Sequence, residues 1–597
     1  MRISYVLVNA ALALYSYASL LPNGLLQRRN LDARSQDPAE VIWQKLNGSQ
    51  SLEWHDCYPG QGPQFECARF LVPLDYSKPI SSNNTASIAI IRTPSPYSSP
   101  SKEYKGPILL NPGGPGESGV DFVVTGGNFL RSILGNAFDI VGFDPRGMCP
   151  FNASYVLLTR LLIGVSRSLP VVSFFKNNVD RDLWNAQTSP FSVVNTSTNS
   201  IPEYVASAQV VGQLAEATNT DGYLQFINTD YTARDMLRIT KAHGRDKIQY
   251  WGFSYGSVLG ATFASMFPDN IDRLIIDGVV DAENYFATLW NRNLFDTDKV
   301  LDAFFESCFK AGPSKCAFYA PSPAAILQNL TTIYESLKSR PVPAFSHRTG
   351  SYGVIDYNFL RITLFSSFLA PYALFPSVAD ALAAISRGDI GTAWDIAAPV
   401  EQSIVGQLPD AFTGIACNDG RPIPGTIEDT MVWYEKFLKT SEWADVSART
   451  RITCSGWPKP SIDIFRGPFV GNTSHPMLLI GNTADPVTPL IGAKKMAEGF
   501  PGSVVLTQDS VGHTSISGPS PCTMKYVRAY FENGTLPDVG TVCPVLGPPF
   551  LIQPTQTPSK RSDAQVLSGL HPTEEEDNTL IDAVVELSKK RYIPMPF

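Results

Sequence analysis

The stretch Lys247-Ile248-Gln249-Tyr250-Trp251-Gly252-Phe253-Ser254-Tyr255-Gly256-Ser257 decides how this chain is read. It passes from an apolar strand through a sharp turn into Val258-Leu259-Gly260-Ala261-Thr262-Phe263-Ala264, a run small and apolar enough to lie as a helix on a sheet. The pattern Gly252-x-Ser254-x-Gly256 is a nucleophile elbow, in which the serine sits in a strained turn and its hydroxyl projects from the sheet. Such a turn crowds the positions two residues away on either side, and glycine there removes the clashing Cβ atoms. The string alone is weak, because chance supplies it in roughly one chain in five of this length. The strand before it and the helix after it make it informative.

Outward from the elbow, apolar strand-like runs occur at 87–92, 107–110, 138–143, 247–251, 273–277, 476–481 and 503–507. Several are continuous rather than alternating, as in parallel strands covered on both faces. Residues 230–239 between the third and fourth runs have helical spacing of apolar residues. Alternating strand and helix predicts an α/β fold, a doubly wound and mostly parallel sheet. Residues 151–229 and 286–410 interrupt the alternation with helix-like runs such as 298–309, 324–337 and 378–386. They are expected to be large, mainly helical insertions forming a lid over the carboxyl edge of the sheet, where open α/β folds place ligands. The core is then expected in pieces: 45–150, 230–285 with the elbow, and a C-terminal part over 411–545. The tail, 546–597, is Pro- and Gln-rich and then offers one helix, capped by Thr573, with Glu574-Glu575-Glu576 in its first turn and Lys589-Lys590-Arg591 at its end. No function is assigned to it.

At 597 residues the chain exceeds one simple core, and 44% hydrophobic content is ordinary for a globular protein. A net charge of −8 gives no footprint for nucleic acid or an anionic membrane. Met1-Arg2 and the apolar residues 3–21 read as a secretory signal over 1–18, with Ser16-Tyr17-Ala18 as a cleavage site and 19–44 as a pro-segment. A membrane anchor is the rival reading, against which Asn9 and several Ser and Tyr residues count, so no stable membrane insertion is expected. Arg28-Arg29 and Lys560-Arg561 are dibasic pairs open to trimming. Sequons at Asn47, Asn83, Asn152, Asn195, Asn329, Asn472 and Asn533 fit a secreted glycoprotein. Eight of nine cysteines fall into short-range couples, Cys57 with Cys67, Cys308 with Cys316, Cys417 with Cys454 and Cys522 with Cys543, and Cys149 is left over. Read as disulfides, they require an oxidising compartment. No spacing suggests a metal, and no cofactor is expected.

A serine nucleophile needs a base, an orienting acid and an oxyanion hole, and in an elbow-type enzyme the order is Ser, acid, His. Only six histidines exist. His55 and His243 precede the elbow, His347 lies in the lid, His475 leads into a strand and His571 is in the tail. His513 follows the last strand-like run, where the base belongs; the bland alternative is a solvated loop histidine. Asp485 follows the preceding run, in Asn482-Thr483-Ala484-Asp485-Pro486, with Asp509 as its rival. Oxyanion donors are expected from the backbone of Tyr255 and of the loop Asn111-Pro112-Gly113-Gly114-Pro115-Gly116, at Gly113 and Gly114. That loop lacks the Gly-Lys-Ser/Thr of a phosphate cradle.

Gly113-Gly114-Pro115-Gly116, Phe143-Asp144-Pro145-Arg146-Gly147, Tyr250 to Gly256, Asp277-Gly278-Val279-Val280-Asp281 and the Asp485/His513 pair together resemble secreted α/β-hydrolases of the tripeptidyl and prolyl aminopeptidase group. The segment from about Cys417 to Cys543, with Gly534-Thr535-Leu536-Pro537 and Gly540-Thr541-Val542-Cys543, is similar to that group's C-terminal domain, and the resemblance spans roughly residues 45 to 545. It implies Ser254, Asp485 and His513 as a triad and a peptide substrate. Two departures stand out: Asn111-Pro112 where prolyl aminopeptidases carry His before the glycines, which fits the tripeptidyl branch, and Met148-Cys149-Pro150 in place of a small polar continuation. An aminopeptidase also needs a carboxylate for the substrate ammonium. Glu117, Asp281 and Glu283 are the candidates, each more readily read as structural or solvated. Three functions stay open: a secreted serine exopeptidase releasing short peptides or residues from N-termini; an esterase, lactonase or thioesterase on small acyl substrates; and a non-catalytic binding protein. Nothing in the sequence gives the oligomeric state.

Overall fold

A computed structural model of the chain describes residues 38–61, 64–148, 167–188, 193–194, 197–405, 410–458, 462–552 and 574–590. The signal and pro-segment before residue 38, Cys149, Asn152, Asn195, His571, Thr573 and both dibasic pairs lie outside the described residues. Residues Met1–Lys45 form a unit of their own, of which the helix Pro38–Lys45 is described.

From residue 46 onward the chain builds one large sheet. Its strands are β1 (Gly48–Ser49), β2 (His55–Cys57), β3 (Phe65–Val72), β4 (Ala86–Thr93), β5 (Gly106–Asn111), β6 (Phe138–Asp144), β7 (Ile248–Phe253) and β8 (Ile271–Asp277). After a separate hairpin of β9 (Val342–Phe345) and β10 (Tyr352–Ile355), the sheet resumes with β11 (Leu478–Ala484), β12 (Val504–Val511) and β13 (Val542–Pro544). The order across the sheet is β1-β3-β4-β6-β5-β7-β8-β11-β12-β13, with β2 also on β3. Every pairing from β6 to β13 is parallel, whereas β4 is antiparallel to both β3 and β6. Parallel pairing puts the carboxyl ends of the central strands at one edge, and the strand order reverses direction between β5 and β7, as in a doubly wound sheet. β5, β6 and β7 are buried along their whole length, which explains their unbroken apolar sequences.

β3 escapes the apolar-run reading because it alternates, Phe65-Glu66-Cys67-Ala68-Arg69, as an antiparallel strand near a sheet edge does. The hairpin β9–β10 is short and embedded among helices. Those helices are Thr297–Ala311, Pro323–Ser339, Tyr357–Leu369, Pro371–Ser386 and Ile390–Val405, and helical chain continues past residue 410 through Asp410–Asp419 and Ile427–Leu438 before β11. The earlier insertion holds Asn178–Thr188 and Ser200–Thr218. The two insertions are latched together where Arg181 donates to both oxygens of Asp410, at 2.9 and 2.6 Å.

Four disulfides join Cys57 to Cys67, Cys308 to Cys316, Cys417 to Cys454 and Cys522 to Cys543, the short-range couples read from the spacing. Arg146, in the loop after β6, is fully buried and donates to Asp235 at 2.6 and 2.7 Å and to the carbonyls of Pro73 and Leu74. Removing either partner of such a pair would strand a buried charge at a cost of about 3–5 kcal/mol.

Candidate active site

β7 delivers Ser254 to the carboxyl edge with φ 56° and ψ −120°, a backbone conformation that costs about 1–3 kcal/mol for a residue with a side chain. The glycines of the elbow are required by contact. A Cβ on Gly252 would lie 2.4 Å from the Gly256 carbonyl oxygen, and one on Gly256 would lie 2.8 Å from the Asn111 carbonyl oxygen. Residues 255–264 of the following helix are buried, so the turn is clamped between sheet and helix.

The loop after β5 closes on the serine from the other side. A Cβ on Gly113 would sit 2.9 Å from the Ser254 Cβ and 3.3 Å from the Tyr255 nitrogen, so the backbones of Gly113 and Tyr255 run side by side. Main chain brought this close on two sides of a serine is what an oxyanion hole requires. The opposite side of this loop meets the helix Asp410–Asp419: a Cβ on Gly116 would lie 3.1 Å from the Ala411 Cβ. At that helix's far end, Asp419 accepts from Thr229 N–H (2.8 Å), Thr229 Oγ1 (2.6 Å) and the Tyr285 hydroxyl (2.7 Å), and Thr229 Oγ1 is 2.5 Å from the Tyr255 hydroxyl. Burial pushes Asp419 up to about 6. The Cys417–Cys454 disulfide pins the same helix.

Asp485 and His513 come together at the ends of β11 and β12, both at most 1% exposed. His513 Nδ1 lies 3.0 Å from each carboxylate oxygen of Asp485. A carboxylate only accepts, so Nδ1 carries the proton and Nε2 presents its lone pair. Asp485 also accepts the backbone N–H groups of Val487 (3.0 Å), Thr488 (2.8 Å) and Thr514 (2.8 Å). The His513 backbone N–H donates to the Leu369 carbonyl at the end of the helix Tyr357–Leu369, and the turn passes through Thr514 at φ 63°. Asp509, the rival acid, is instead 3.1 Å from Thr483 Oγ1 on the exposed rim.

Two residues with no role assigned from sequence complete the cluster. Thr488 Oγ1 is 3.1 Å from His513 Nδ1, three positions after Asp485 in the same turn. Asp277, at the end of β8, joins the two sides of the site. Its carbonyl accepts the Ser254 N–H at 2.9 Å, and its carboxylate accepts Ser515 N–H at 2.8 Å, the Ser515 hydroxyl and Trp251 Nε1–H at 3.2 Å. Burial, with the Asp485 charge adding to it, pushes Asp277 up to about 6. Ser254 Oγ and His513 Nε2 are both buried, and among the described residues neither is hydrogen-bonded, to the other or to any group.

The three carboxylates proposed for an ammonium group are placed differently. Asp281 caps the helix Ala282–Phe286 and accepts from Lys495 (2.5 Å) and Arg292 (3.0 Å), on the wall of a cavity of about 420 Å³ shared with Val487 and Thr488. Glu283 is 62% exposed and pairs with the same Lys495 at 2.8 Å. Both acids are already neutralised by cations. Glu117 is half-buried directly after the glycine loop, with its N–H on the Gly113 carbonyl. Among the described residues no His, Cys, Asp and Glu cluster is arranged to hold a metal ion. Asn47, Asn83, Asn329, Asn472 and Asn533 are all exposed.

Comparison with known proteins points to the same fold. Residues 106–314 match the model for the alpha/beta hydrolase fold, and residues 440–543 match the model for TAP-like protein. The chain is 26% identical to Serine protease Hip1 of Mycobacterium tuberculosis over 521 residues, 83% of this chain and 91% of that one. It is 25% identical to Tripeptidyl aminopeptidase of Streptomyces lividans over 505 residues, 81% and 84% of the two chains. It is also 25% identical to Carboxylesterase B of Mycobacterium tuberculosis over 511 residues, 80% and 86%. With an elbow serine on a mostly parallel sheet and these two matched segments, the chain has the α/β-hydrolase fold with a segment similar to TAP-like protein, and it is a serine hydrolase.

Proposed function

We propose that this enzyme is a secreted serine exopeptidase that releases short peptides from free N-termini, with Ser254 as nucleophile, His513 as base and Asp485 as orienting acid. The observation that carries the catalytic part is the buried Asp485–His513 pair beside a strained Ser254, with both reactive atoms left without partners among the described residues. Ser254 Oγ attacks the scissile carbonyl and its proton passes to His513 Nε2. The oxyanion is met by the Tyr255 N–H and the backbone of Gly113 and Gly114. The imidazolium, held by Asp485, then protonates the leaving amine, and water repeats the sequence on the acyl-enzyme. Peptides are favoured as substrates by the names of two relatives, serine protease and tripeptidyl aminopeptidase. Glu117, half-buried directly after the glycine loop that lies against Ser254, is assigned as the carboxylate for the substrate ammonium. Four disulfides, exposed sequons and the apolar N-terminal stretch support an extracellular setting. No helix among the described residues is long and apolar enough to cross a membrane.

An esterase is the second reading, favoured by the equal identity to a carboxylesterase. Chromogenic tripeptides with free and blocked amines, tested beside short acyl esters, decide between them. The exopeptidase turns over the free-amine peptide, and Glu117→Gln raises KM for it while leaving ester hydrolysis unchanged. Turnover of blocked peptides or esters with none of the free-amine peptide would sink the proposal. A fluorophosphonate probe should label Ser254 and fail entirely on Ser254→Ala.

A further inference from the structure

The helix Glu574–Lys589 lies beyond both matched segments. Leu580, Ala583, Val584 and Leu587 recur at helical spacing, and all four are at most 4% exposed. The helix packs against the helix Gly119–Leu134, the turn Ser515–Ser517 and the helix Pro371–Ser386, and also against the helix Pro521–Asn533. The first of these begins after its cap Ser118, where the glycine loop and Glu117 end. The second begins two residues after His513. The third starts at Pro371, whose ring carbon would lie 2.7 Å from a Cβ on Gly512, directly behind the base. Both ends are tied down, by Lys525 Nζ to Asp577 Oδ1 at 2.7 Å and by Lys590 Nζ 4.3 Å above the Phe129 ring. One helix therefore touches the element that follows the oxyanion loop and the element that follows the base, which are far apart in sequence.

We propose that this C-terminal helix is a positioning brace, holding the glycine-loop helix and the base turn in register so that Ser254, the oxyanion donors and His513 meet at one carbonyl. The brace touches no reacting atom and acts through the elements it packs. The inference rests on the catalytic reading above. Displacements of about 1 Å at a reacting group cost up to about 100-fold in rate, which sets the scale of the effect.

The test uses the full-length chain carrying Leu580→Asp with Val584→Asp, which makes the stripe too polar to dock, and Asp582→Ala on the exposed face as control. The rate of fluorophosphonate labelling at Ser254 is measured beside the near-UV circular dichroism of the core. The double variant should keep its near-UV spectrum and label about 10- to 100-fold more slowly, the control should match wild type, and a synthetic peptide of residues 574–590 should restore the rate. Labelling at the wild-type rate overturns the brace. So does slow labelling together with a lost near-UV spectrum and no response to peptide, because the helix is then only part of the core. If the intact chain does not label, the catalytic reading fails, and hydrogen exchange decides the brace separately. Amides of residues 119–124 and 513–517 should exchange at least about tenfold faster in the double variant, and unchanged protection overturns it.

Discussion

The two halves of the site are held in opposite ways. On the acid–base side, Asp485 accepts four N–H groups, those of His513 Nδ1, Val487, Thr488 and Thr514. On the nucleophile side, Ser254 is fixed by its backbone alone: a strained φ, its N–H on the Asp277 carbonyl and its own carbonyl on Ser257 N–H. Its hydroxyl and His513 Nε2 are bonded to nothing among the described residues. On the proposed reading the imidazole is oriented before substrate arrives, and the serine–imidazole bond forms in the complex, as catalytic hydrogen bonds commonly do. Breaking the preset half should cost the most.

Asp485→Asn keeps the shape of the acid but offers an amide where His513 Nδ1 and three backbone N–H groups need an acceptor. The ring is driven to the tautomer with its proton on Nε2, where it cannot act as base. A loss in kcat of about 10⁴-fold follows, with KM little changed. Steady-state kinetics check it, and a loss under about tenfold would mean the preset half does not govern the rate.

Asp277 bridges the halves, so its substitution sharpens the contrast. In Asp277→Asn the Ser515 hydroxyl can reverse, but Trp251 Nε1–H then faces either an amide or a single remaining acceptor. A roughly tenfold fall in kcat is expected, smaller than for Asp485 because no reacting atom is touched. The same residue gives a stability signature. Its folded pKa of about 6 lies above the unfolded value of about 3.9, so the native state holds the proton more tightly. The stability this supplies is complete below about pH 4 and is lost as pH rises through about 6. Burial likewise pushes Asp144 and Asp419 up to about 6. Relative to wild type, the thermal midpoint of Asp277→Asn should therefore rise from about pH 4 to about pH 6. A difference between the two that stays constant over this window in a thermal-shift series contradicts the assignment.

The same division governs what could be read from the sequence. The elbow is legible because its requirements are local: glycines at 252 and 256 answer clashes within a few residues. Asp485 and His513 are legible because chain order and a short roster of histidines leave few choices. Asp277 stands at a strand end where many aspartates stand for other reasons, and its partners Ser515 and Trp251 become neighbours only through the pairing of β7, β8 and β11. The packing of Asp410–Asp419 against Gly116 and Thr229 is equally long-range, and no local pattern announces it. Asp281 and Glu283 show the converse: as isolated acids they suit an ammonium group, and only the fold brings Lys495 to them.

Thr488 tests how finely the preset half is tuned. Its hydroxyl oxygen lies 3.1 Å from His513 Nδ1, beside two carboxylate oxygens at 3.0 Å, so the single Nδ1–H is shared among three acceptors. Thr488→Val removes one of them while preserving the β-branched shape in a site that is 1% exposed. Asp485 still fixes the tautomer, so the base survives, and only the ring's freedom to rock about its carboxylate increases. One neutral hydrogen bond contributes about 0.5–1.5 kcal/mol net, which corresponds to a fall in kcat of roughly two- to tenfold. Thr488→Ser keeps the hydroxyl and should recover most of that loss. If serine were no better than valine, the contribution of Thr488 would be packing against the acid turn, and the carboxylate alone would account for the orientation of His513.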